Sequence, residues 1–222
     1  MSRRRRSAGL VVLSLLAELL LTAGAALGLY TAWDVWWSVR VSSARADSAT
    51  AQLYRAWATA ATDDDPAALG VLHVPRFGES WARAVYPGTT RQETLDPLGV
   101  GHYDGSAGPG EPGNFALAGH RSSYSRPFHD IHTLQVGDVL VFESRDAWYT
   151  YEVTVTHLVI DPSQSEVLAP VFGDTTWQRE PSEPTITLTS CHPIHSRRQR
   201  IVAHGVLTSA TPKENGVPAE LA

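Results

Sequence analysis

The chain has 222 residues, of which 43% are hydrophobic and 9% aromatic, enough for one ordinary domain with appendages and too many large apolar side chains for a disordered protein. The formal charge is −5, and without the four arginines at positions 3–6 it is −9. Because contacts to nucleic-acid phosphates need clustered cations, this balance argues against a nucleic-acid partner.

An apolar run at 8–30 follows the arginines, and Glu18 is its only charged residue. As a helix it would span about 35 Å, enough for a hydrocarbon layer of about 30 Å. The arginines predict a cytoplasmic N-terminus, and the aromatic residues at 30–37 predict the outer interface. We therefore expect a single-pass anchor over 1–33 with the rest of the chain extracellular, and we leave the role of Glu18 open.

A cleaved signal peptide is the alternative to this anchor. Ala23-Gly24-Ala25 has the small-x-small form of a cleavage site. The apolar region of a signal peptide is usually only about 7–15 residues long, however, and the run here is longer. An uncleaved transmembrane helix is the preferred interpretation.

The next region, 34–69, is predicted to be a helical stalk or linker. Residues 34–62 are rich in Ala and contain neither Gly nor Pro, and an acidic stretch that ends in Pro66 terminates the helix. We leave open whether this region stays helical or covers the site.

From about residue 70 the pattern changes to short apolar runs separated by Gly and Pro, which is typical of an all-β domain. We predict strands at 70–74, 80–86, 114–119, 138–143, 147–159, 185–191 and 200–208, with a short helix at 127–134. In 147–159 the alternation places Tyr151 and Val159 on the same face. The pattern predicts a closed β-barrel over 70–210 and a flexible tail at 211–222.

The single cysteine, Cys191, ends one of the predicted strands. Exported proteins normally pair their cysteines, so a lone thiol is a buried small residue, an intermolecular bridge or a nucleophile. Strand alternation places Ile186 and Leu188 on one face and Cys191 on the other, at the rim of the sheet. That position favours the nucleophile.

A basic residue is expected beside this thiol. If the next strand pairs with it in antiparallel fashion, the first residue of that strand, Arg200, lies next to Cys191. A guanidinium there would favour the thiolate and could hold the oxyanion of a tetrahedral intermediate. Arg197 and Arg198, in the loop His192 to Gln199, are the alternatives.

A thiol nucleophile also needs a group that accepts and donates a proton, usually His. The chain has nine histidines. His192 and His195 are near Cys191 in sequence but lie in the loop. We favour His120, at the end of the strand "NFALAGH", although spacing alone does not decide between them.

These segments resemble the sortases, a family of cysteine transpeptidases. "TLTSC" at 187–191, with an Arg nine residues after the Cys, resembles the signature TLxTC…R, and "GNFALAGHR" at 113–121 resembles the histidine segment. "HVPRFG", "PFHDIHTLQVGDVLVF" and "GVGHYDGSAGPGEPGN" are similar to further family blocks, the last to class E sortases, and the resemblance covers about 70–208. Two positions depart from the pattern: Ser190, where Thr is usual, and His192 after the nucleophile.

The resemblance implies an eight-stranded sortase-like β-barrel with short helices, on the outer face of a Gram-positive membrane. It implies Cys191 as the nucleophile, His120 as the proton donor and acceptor, and Arg200 as the group that binds the oxyanion or the backbone of the sorting motif. Tyr103 and Thr189 are candidates for substrate binding. No metal and no cofactor are implied.

The resemblance also implies the substrates. They would be secreted proteins with a C-terminal sorting signal, LAxTG-like for class E, cleaved between Thr and Gly through a Cys thioester. The protein would then pass to an amine of a cell-wall precursor, lipid-linked peptidoglycan. The client proteins, the exact motif, the resolving amine, calcium dependence and oligomeric state stay open.

Other functions fit the sequence less well. A papain-like protease would have its Cys before its His, and an L,D-transpeptidase would carry SxGC around the Cys. The non-catalytic alternative is a membrane-tethered zinc-binding or scaffold module, which would use Cys191, His192 and His195 with His129 and His132. The lack of a second Cys and the proline inside "CHPIH" argue against it.

Overall fold

The structure, a computed structural model, describes residues 8–59 and 67–221. The arginine cluster at 3–6 and the acidic end of the predicted stalk at 63–66 lie outside the described residues. Helix α1 (Ala8–Thr59) includes the apolar run, and an 18-residue window in it reaches a mean hydropathy of 2.3. By length and composition this helix can cross a membrane once. The chain divides into two compact units, Met1–Arg40 and Val41–Ala222.

The second unit contains eight strands. They are β1 (Gly70–His73), β2 (Ala82–Pro87), β3 (Val100–His102), β4 (Gly113–Gly119), β5 (Val139–Glu143), β6 (Ala147–Ile160), β7 (Pro184–His192) and β8 (Gln199–Pro212). Their order around the sheet is β1-β2-β3-β4-β7-β8-β6-β5, and the sheet closes into a barrel because β5 also pairs with β1. The predicted all-β fold and the closed eight-stranded barrel are confirmed.

Most neighbouring strands in this barrel are antiparallel, and two pairs are parallel. The parallel pairs are β2 with β3 and β4 with β7. The interior is filled by apolar side chains that alternate along the strands, among them Phe115, Leu117, Phe142, Tyr151 and Leu188. Burial of such side chains is the main stabilising contribution in a fold of this size, about 25 cal/mol per Å² of apolar surface.

Strand β3, which has only three residues, was not predicted from the sequence. Its central residue is Gly101, and a Cβ at that position would collide with the carbonyl oxygen of Gly88. The strand therefore exists because glycine permits a close approach, and not because of an apolar repeat. The helix predicted at 127–134 is reduced to a 3-10 turn, Ile131–Thr133.

Strand β6 also departs from the predicted alternation. Its register against β8 shifts between Val153 and Leu158, and His157 has a positive φ of 55°. A bulge adds a residue and exchanges the two faces of the strand beyond it. As a result Tyr151 is buried, whereas Val159, predicted on the same face, is 38% exposed.

Within the second unit, the end of α1 packs on the barrel. Leu53 is buried against Val71 and Ala84. The hydroxyl of Thr50 accepts a hydrogen bond from the backbone N–H of Ala84 at 3.0 Å. The helix continues through most of the predicted stalk and ends in contact with β1 and β2.

A polar cluster around Glu143 joins the same helix to the barrel and to the C-terminal segment. Tyr54 donates a hydrogen bond to Glu143 at 2.7 Å, His73 Nε2 lies 2.8 Å from the same oxygen, and Lys213 donates to the other oxygen. Burial alone would raise the pKa of Glu143, but these hydrogen bonds outweigh it and lower the pKa. We call these four residues the Glu143 cluster. Because β8 reaches Pro212 and Lys213 is held here, the first residues of the predicted tail are packed.

Candidate active site

A cleft of about 550 Å³ opens where β4, β7 and β8 end or begin. It is lined by all five residues that the sequence analysis selected: Tyr103, His120, Thr189, Cys191 and Arg200. Distant segments of the chain thus bring a thiol, an imidazole and a guanidinium to one cavity.

The pairing of β7 with β8 places Cys191 directly opposite Arg200. Both strands reach one residue further than predicted, so the loop between them is only 193–198. Cys191 is half-buried at the strand end. Arg200 Nη1 donates to the carbonyl oxygens of Arg197 and Gln199, at 3.1 and 2.9 Å, so the loop itself orients the guanidinium.

The parallel pairing of β4 with β7 brings His120 to the same edge. Ala118 lies opposite Thr189, so β4 ends beside the last residues of β7, and His120 is the next residue after β4. Ser190 ties the two ends through a hydrogen bond from its hydroxyl to the carbonyl oxygen of Gly119, at 2.7 Å. The departure from Thr to Ser at this position therefore keeps a hydroxyl that fixes the residue before the histidine.

His120 is mostly buried, with 11% of its side chain exposed. Its Nε2 lies 2.7 Å from Oδ1 of Asp96, and the ring of Tyr124 stacks on it with centroids 5.1 Å apart. Burial lowers the pKa of the imidazole, and the carboxylate of Asp96 opposes that effect. The histidine is therefore held on two sides and has a carboxylate partner.

Tyr103 and Thr189 form one wall of the cleft. Tyr103 follows β3, and its hydroxyl lies 3.0 Å from the hydroxyl of Thr189. Thr189 also donates to the carbonyl oxygen of Leu117 at 3.2 Å. Both side chains are thereby oriented beside Cys191, and β3, the strand that the sequence did not reveal, is what places Tyr103.

A second arginine, Arg121, is buried in the wall and only 7% exposed. Its Nη1 donates to Nδ1 of His192 at 2.9 Å, while its Nε has no hydrogen-bond partner within 8–59 and 67–221. Burial lowers the pKa of this guanidinium. His192, the other departure from the family pattern, therefore accepts a hydrogen bond from an arginine of the cleft.

The cleft is basic although the chain as a whole is acidic. Four arginines line it, Arg91, Arg121, Arg197 and Arg200, and among the described residues no carboxylate does. Since the rest of the molecule carries the negative charge, the positive field is concentrated at the thiol. Such a field favours an oxyanion in a bound substrate.

The zinc-binding alternative finds no support in the geometry. In the part of the chain that the structure describes, no group of three or more His, Cys, Asp or Glu side chains is arranged to hold a metal. His129 Nδ1 contacts the carbonyl oxygen of Arg121, and His132 Nδ1 contacts that of His129. A guanidinium also occupies the Nδ1 side of His192, which is an unfavourable neighbour for a cation.

Sequence reasoning missed Asp96, Arg91 and Arg121. Arg121 directly follows His120 in "GHR", so its position in the motif was visible, but its burial was not. Asp96 follows a single π-helical turn, Arg91–Leu95, in a segment without an apolar repeat. Only the three-dimensional fold brings that turn against the end of β4.

A closed barrel with a thiol at its rim, a histidine just beyond the neighbouring strand and an arginine opposite the thiol is the arrangement of a class of cysteine acyl-transfer enzymes. The Sortase domain model matches residues 72–208, more than half of the chain. The chain belongs to the sortase family, whose members are cysteine transpeptidases.

Individual relatives agree with this assignment. Sortase SrtE2 of Streptomyces coelicolor is 33% identical over 96% of this chain and 90% of its own length. The structure of sortase E from Streptomyces avermitilis has a TM-score of 0.62 and 35% identity over 70% of this chain and 97% of its own. Sortase E1 of Streptomyces coelicolor, solved with a tripeptide in the active site, has a TM-score of 0.63 and 31% identity over 70% and 96%. The resemblance to class E sortases is confirmed.

Proposed function

We propose that this sortase cleaves an LAxTG-like C-terminal sorting signal between Thr and Gly and transfers the protein to an amine of a cell-wall precursor. The observation that carries the proposal is the meeting of Cys191, His120 and Arg200 in one cleft of a sortase-family barrel. Thiol, imidazole and guanidinium are the three groups that acyl transfer through a thioester requires.

In the first half of the reaction, the thiolate of Cys191 attacks the carbonyl carbon of the Thr residue of the signal. The oxygen becomes an oxyanion, and the N–H groups of Arg200 stabilise it. When the intermediate collapses, the C–N bond breaks and the Gly amine leaves with the proton that His120 donates. The products are a thioester on Cys191 and a neutral imidazole.

In the second half, the amine of the acceptor attacks the thioester carbonyl. His120 takes a proton from this amine, and the intermediate expels Cys191 as thiolate. The enzyme returns to the thiolate–imidazolium state, and the new amide joins protein to acceptor. No external oxidant takes part in this cycle.

Tyr103 and Thr189 would bind the sorting motif beside the thiol. Their mutual hydrogen bond and their place in the wall of the cleft support this role. That sortase E1 of Streptomyces coelicolor was solved with a tripeptide in its active site supports a peptide ligand for the corresponding cleft here.

The anchor and the partners belong to the same proposal. The apolar helix α1 is consistent with single-pass anchoring. With the N-terminus in the cytoplasm, the barrel would lie outside the cell, where secreted proteins with sorting signals and lipid-linked peptidoglycan meet at the membrane. Attachment to that membrane would hold enzyme, client and acceptor together.

The test uses the full chain in detergent with LAxTG and LPxTG peptides and an amine acceptor. We expect the wild type to join the peptide to the amine and to prefer LAxTG, whereas Cys191→Ala forms no product. A Glu93→Gln variant, changed in an exposed side chain outside the cleft, serves as the matched control and should react like the wild type. Equal rates for the wild type and Cys191→Ala would refute the proposed function.

A further inference from the structure

The proposed reaction uses Cys191, His120 and Arg200 and assigns no role to Asp96, which contacts His120. Oδ1 of Asp96 lies 2.7 Å from Nε2 of His120, within hydrogen-bond distance. Asp96 does not itself line the cleft, and 19% of its side chain is exposed.

The carboxylate is carried by a firmly bonded turn. The backbone N–H of Asp96 donates to the carbonyl of Arg91 at 2.8 Å, and the N–H of Leu98 donates to that of Thr94, also at 2.8 Å. Thr94 is 4% exposed, and its hydroxyl donates to the carbonyl of Pro87. These bonds give Asp96 a fixed position relative to β2 and β3.

Tyr124 completes the setting from the other side. Its ring stacks on the imidazole at an angle of 26°, and its backbone has a positive φ of 55°, which is uncommon for a residue other than glycine. A hydrogen bond to Asp96 raises the pKa of Tyr124. The segment after β4 thus adopts an unfavourable local conformation that brings Tyr124 to both members of the pair.

We propose that Asp96 is a positioning residue for His120, which fixes the orientation of the ring and stabilises its protonated form. The inference rests on the proposed function, in which His120 transfers the proton. A carboxylate partner on one ring nitrogen determines which nitrogen exchanges protons, because the other must serve the reaction.

The pairing assigns separate roles to the two ring nitrogens. Nε2 keeps its hydrogen and donates it to Asp96 in both protonation states. The proton that reaches the leaving amine, and that returns from the acceptor amine, is therefore the one on Nδ1. As no described residue forms a hydrogen bond with Nδ1 of His120, that nitrogen is available to the substrate.

Several charged and titratable groups surround the imidazole. They are Asp96 and Arg91 from the turn before β3, Arg121 and Tyr124 after β4, Cys191 and His192 on β7, and His195, Arg197 and Arg200 from β8 and its loop. Burial lowers the pKa of His120 most, Arg91 also lowers it, and Asp96 raises it. Asp96 is thus the group that stabilises the imidazolium against burial and Arg91.

This arrangement gives a definite pH signature. The reaction needs thiolate and imidazolium together, and at pH above the titration of His120 the share of imidazolium, and with it the rate, follows the pKa of that histidine. Loss of the Asp96 charge lowers the pKa of His120, so the acid midpoint moves down and the plateau falls by the same factor. At pH values below the acid midpoints of both the wild type and the variant, His120 is protonated in each protein, and the two rates coincide.

The test compares Asp96→Asn with the wild type and with Glu93→Gln. Glu93 belongs to the same turn, is exposed and accepts a hydrogen bond from Thr90, so its variant removes one charge without touching His120. The measurement is kcat/KM for an LAxTG peptide with an amine acceptor from pH 5 to 10. We expect Asp96→Asn to lower the plateau roughly tenfold and the acid midpoint by about one unit, the change that one pKa unit produces.

Two results would overturn the proposal. One is a rate reduced by the same factor at every pH, which is the mark of a merely structural defect, and the other is an unchanged profile. Both leave the difference between the wild type and Cys191→Ala intact, so they are distinguishable from a failure of the proposed function.

A second measurement does not depend on activity. In the Cys191→Ala background, NMR of isotope-labelled histidine follows the titration of His120, whose signal is assigned by its loss in His120→Gln. Addition of Asp96→Asn should lower the midpoint of that titration. An unchanged midpoint would overturn the proposal even if Asp96→Asn proved inactive.

Discussion

The barrel contains two carboxylate–histidine contacts of nearly equal length, Asp96–His120 at 2.7 Å and Glu143–His73 at 2.8 Å. The Glu143 cluster supplies its carboxylate with three donors, from α1, β1 and the end of β8, and neither member of its pair lines the cleft. In the pair at the cleft, His120 lines the cavity, whereas its carboxylate partner, Asp96, does not. A carboxylate and a histidine thus stabilise the fold at Glu143 and His73, whereas the same kind of pair at Asp96 and His120 is placed for proton transfer.

The difference lies in which of the two histidines lines the cleft. A buried carboxylate with several hydrogen bonds stabilises the native state and resists titration, because its neighbours favour the charged form. A histidine with one nitrogen engaged and one facing a cavity can change its protonation state without unfolding anything. Variants at the two pairs should therefore separate stability from activity.

Glu143→Gln is expected to have the largest effect on stability. It leaves Lys213 and His73 without their carboxylate, and breaking such a buried set costs about 3–5 kcal/mol of unfolding free energy. Chemical unfolding at pH 7 measures this loss. Activity per folded molecule should stay near that of the wild type, and a specific loss of activity without a loss of stability would remove the distinction between the two pairs.

Arg200→Gln should give the opposite result. Removal of an oxyanion donor lowers the rate by about 10²–10³, or ~3–4 kcal/mol of transition-state stabilisation. Because Arg200 is bonded only to its own loop carbonyls among the described residues, the unfolding free energy should change little. Steady-state kinetics measure the expected loss of rate, and a thermal melt measures the expected unchanged stability. A variant with full activity would exclude Arg200 from the reaction.

His204 shows what burial does to a histidine that has no carboxylate partner among the described residues. It contacts the hydroxyl of Thr187 and the ring of Phe172, and burial lowers its pKa to about 4. Above pH 6.5 the residue is neutral whether the chain is folded or not, and stability is complete. Between pH 6.5 and 4 only the unfolded chain takes up the proton, so this group removes about 3 kcal/mol as the pH falls.

Unfolding free energies measured between pH 7 and pH 4 test this value. In His204→Gln the fall should be smaller by that amount, since the group that titrates is gone. An identical pH dependence in the two proteins would show that His204 does not titrate differently in the folded state.

Tyr54→Phe is the smallest of these changes. It removes one donor from Glu143 but leaves His73 and Lys213 in place, so a loss of about 1–2 kcal/mol is expected. The same unfolding experiment measures it, and Tyr30→Phe, in an exposed tyrosine of α1, is a matched control. If Tyr54→Phe lost as much unfolding free energy as Glu143→Gln, the contact with helix α1, and not the ion pair, would make the main contribution of the Glu143 cluster to stability.

The sequence predicted the parts of this arrangement that depend on local pattern. Short apolar runs separated by Gly and Pro predicted seven of the strands, and the antiparallel pairing of two of them placed Arg200 opposite Cys191. The parallel pairing of β4 with β7, which carries His120 to the thiol, could be expected only from the family resemblance. Parallel strands are joined by long connections, so their proximity has no local signature.

The parts that could not be predicted depend on contacts between distant residues. Strand β3 needs Gly101 against Gly88, the bulge in β6 changes which face Val159 occupies, and Asp96 meets His120 only after the turn packs on β4. Each is a consequence of packing in three dimensions, for which no residue pattern along the chain is diagnostic. The sequence therefore identified His120 through its motif, but it did not identify the carboxylate partner, Asp96.

The acyl-enzyme is the most direct test of the central claim. The full chain is mixed with an LAxTG peptide without amine, quenched in acid within seconds, digested and analysed by mass spectrometry. We predict that the fragment with Cys191 gains the mass of the peptide up to its Thr, and that an amine added before the quench removes the adduct. Two observations together would contradict this prediction. The peptide would be cleaved in full with no adduct on Cys191 at any time, and the Cys191→Ala variant would cleave it as well as the wild type does.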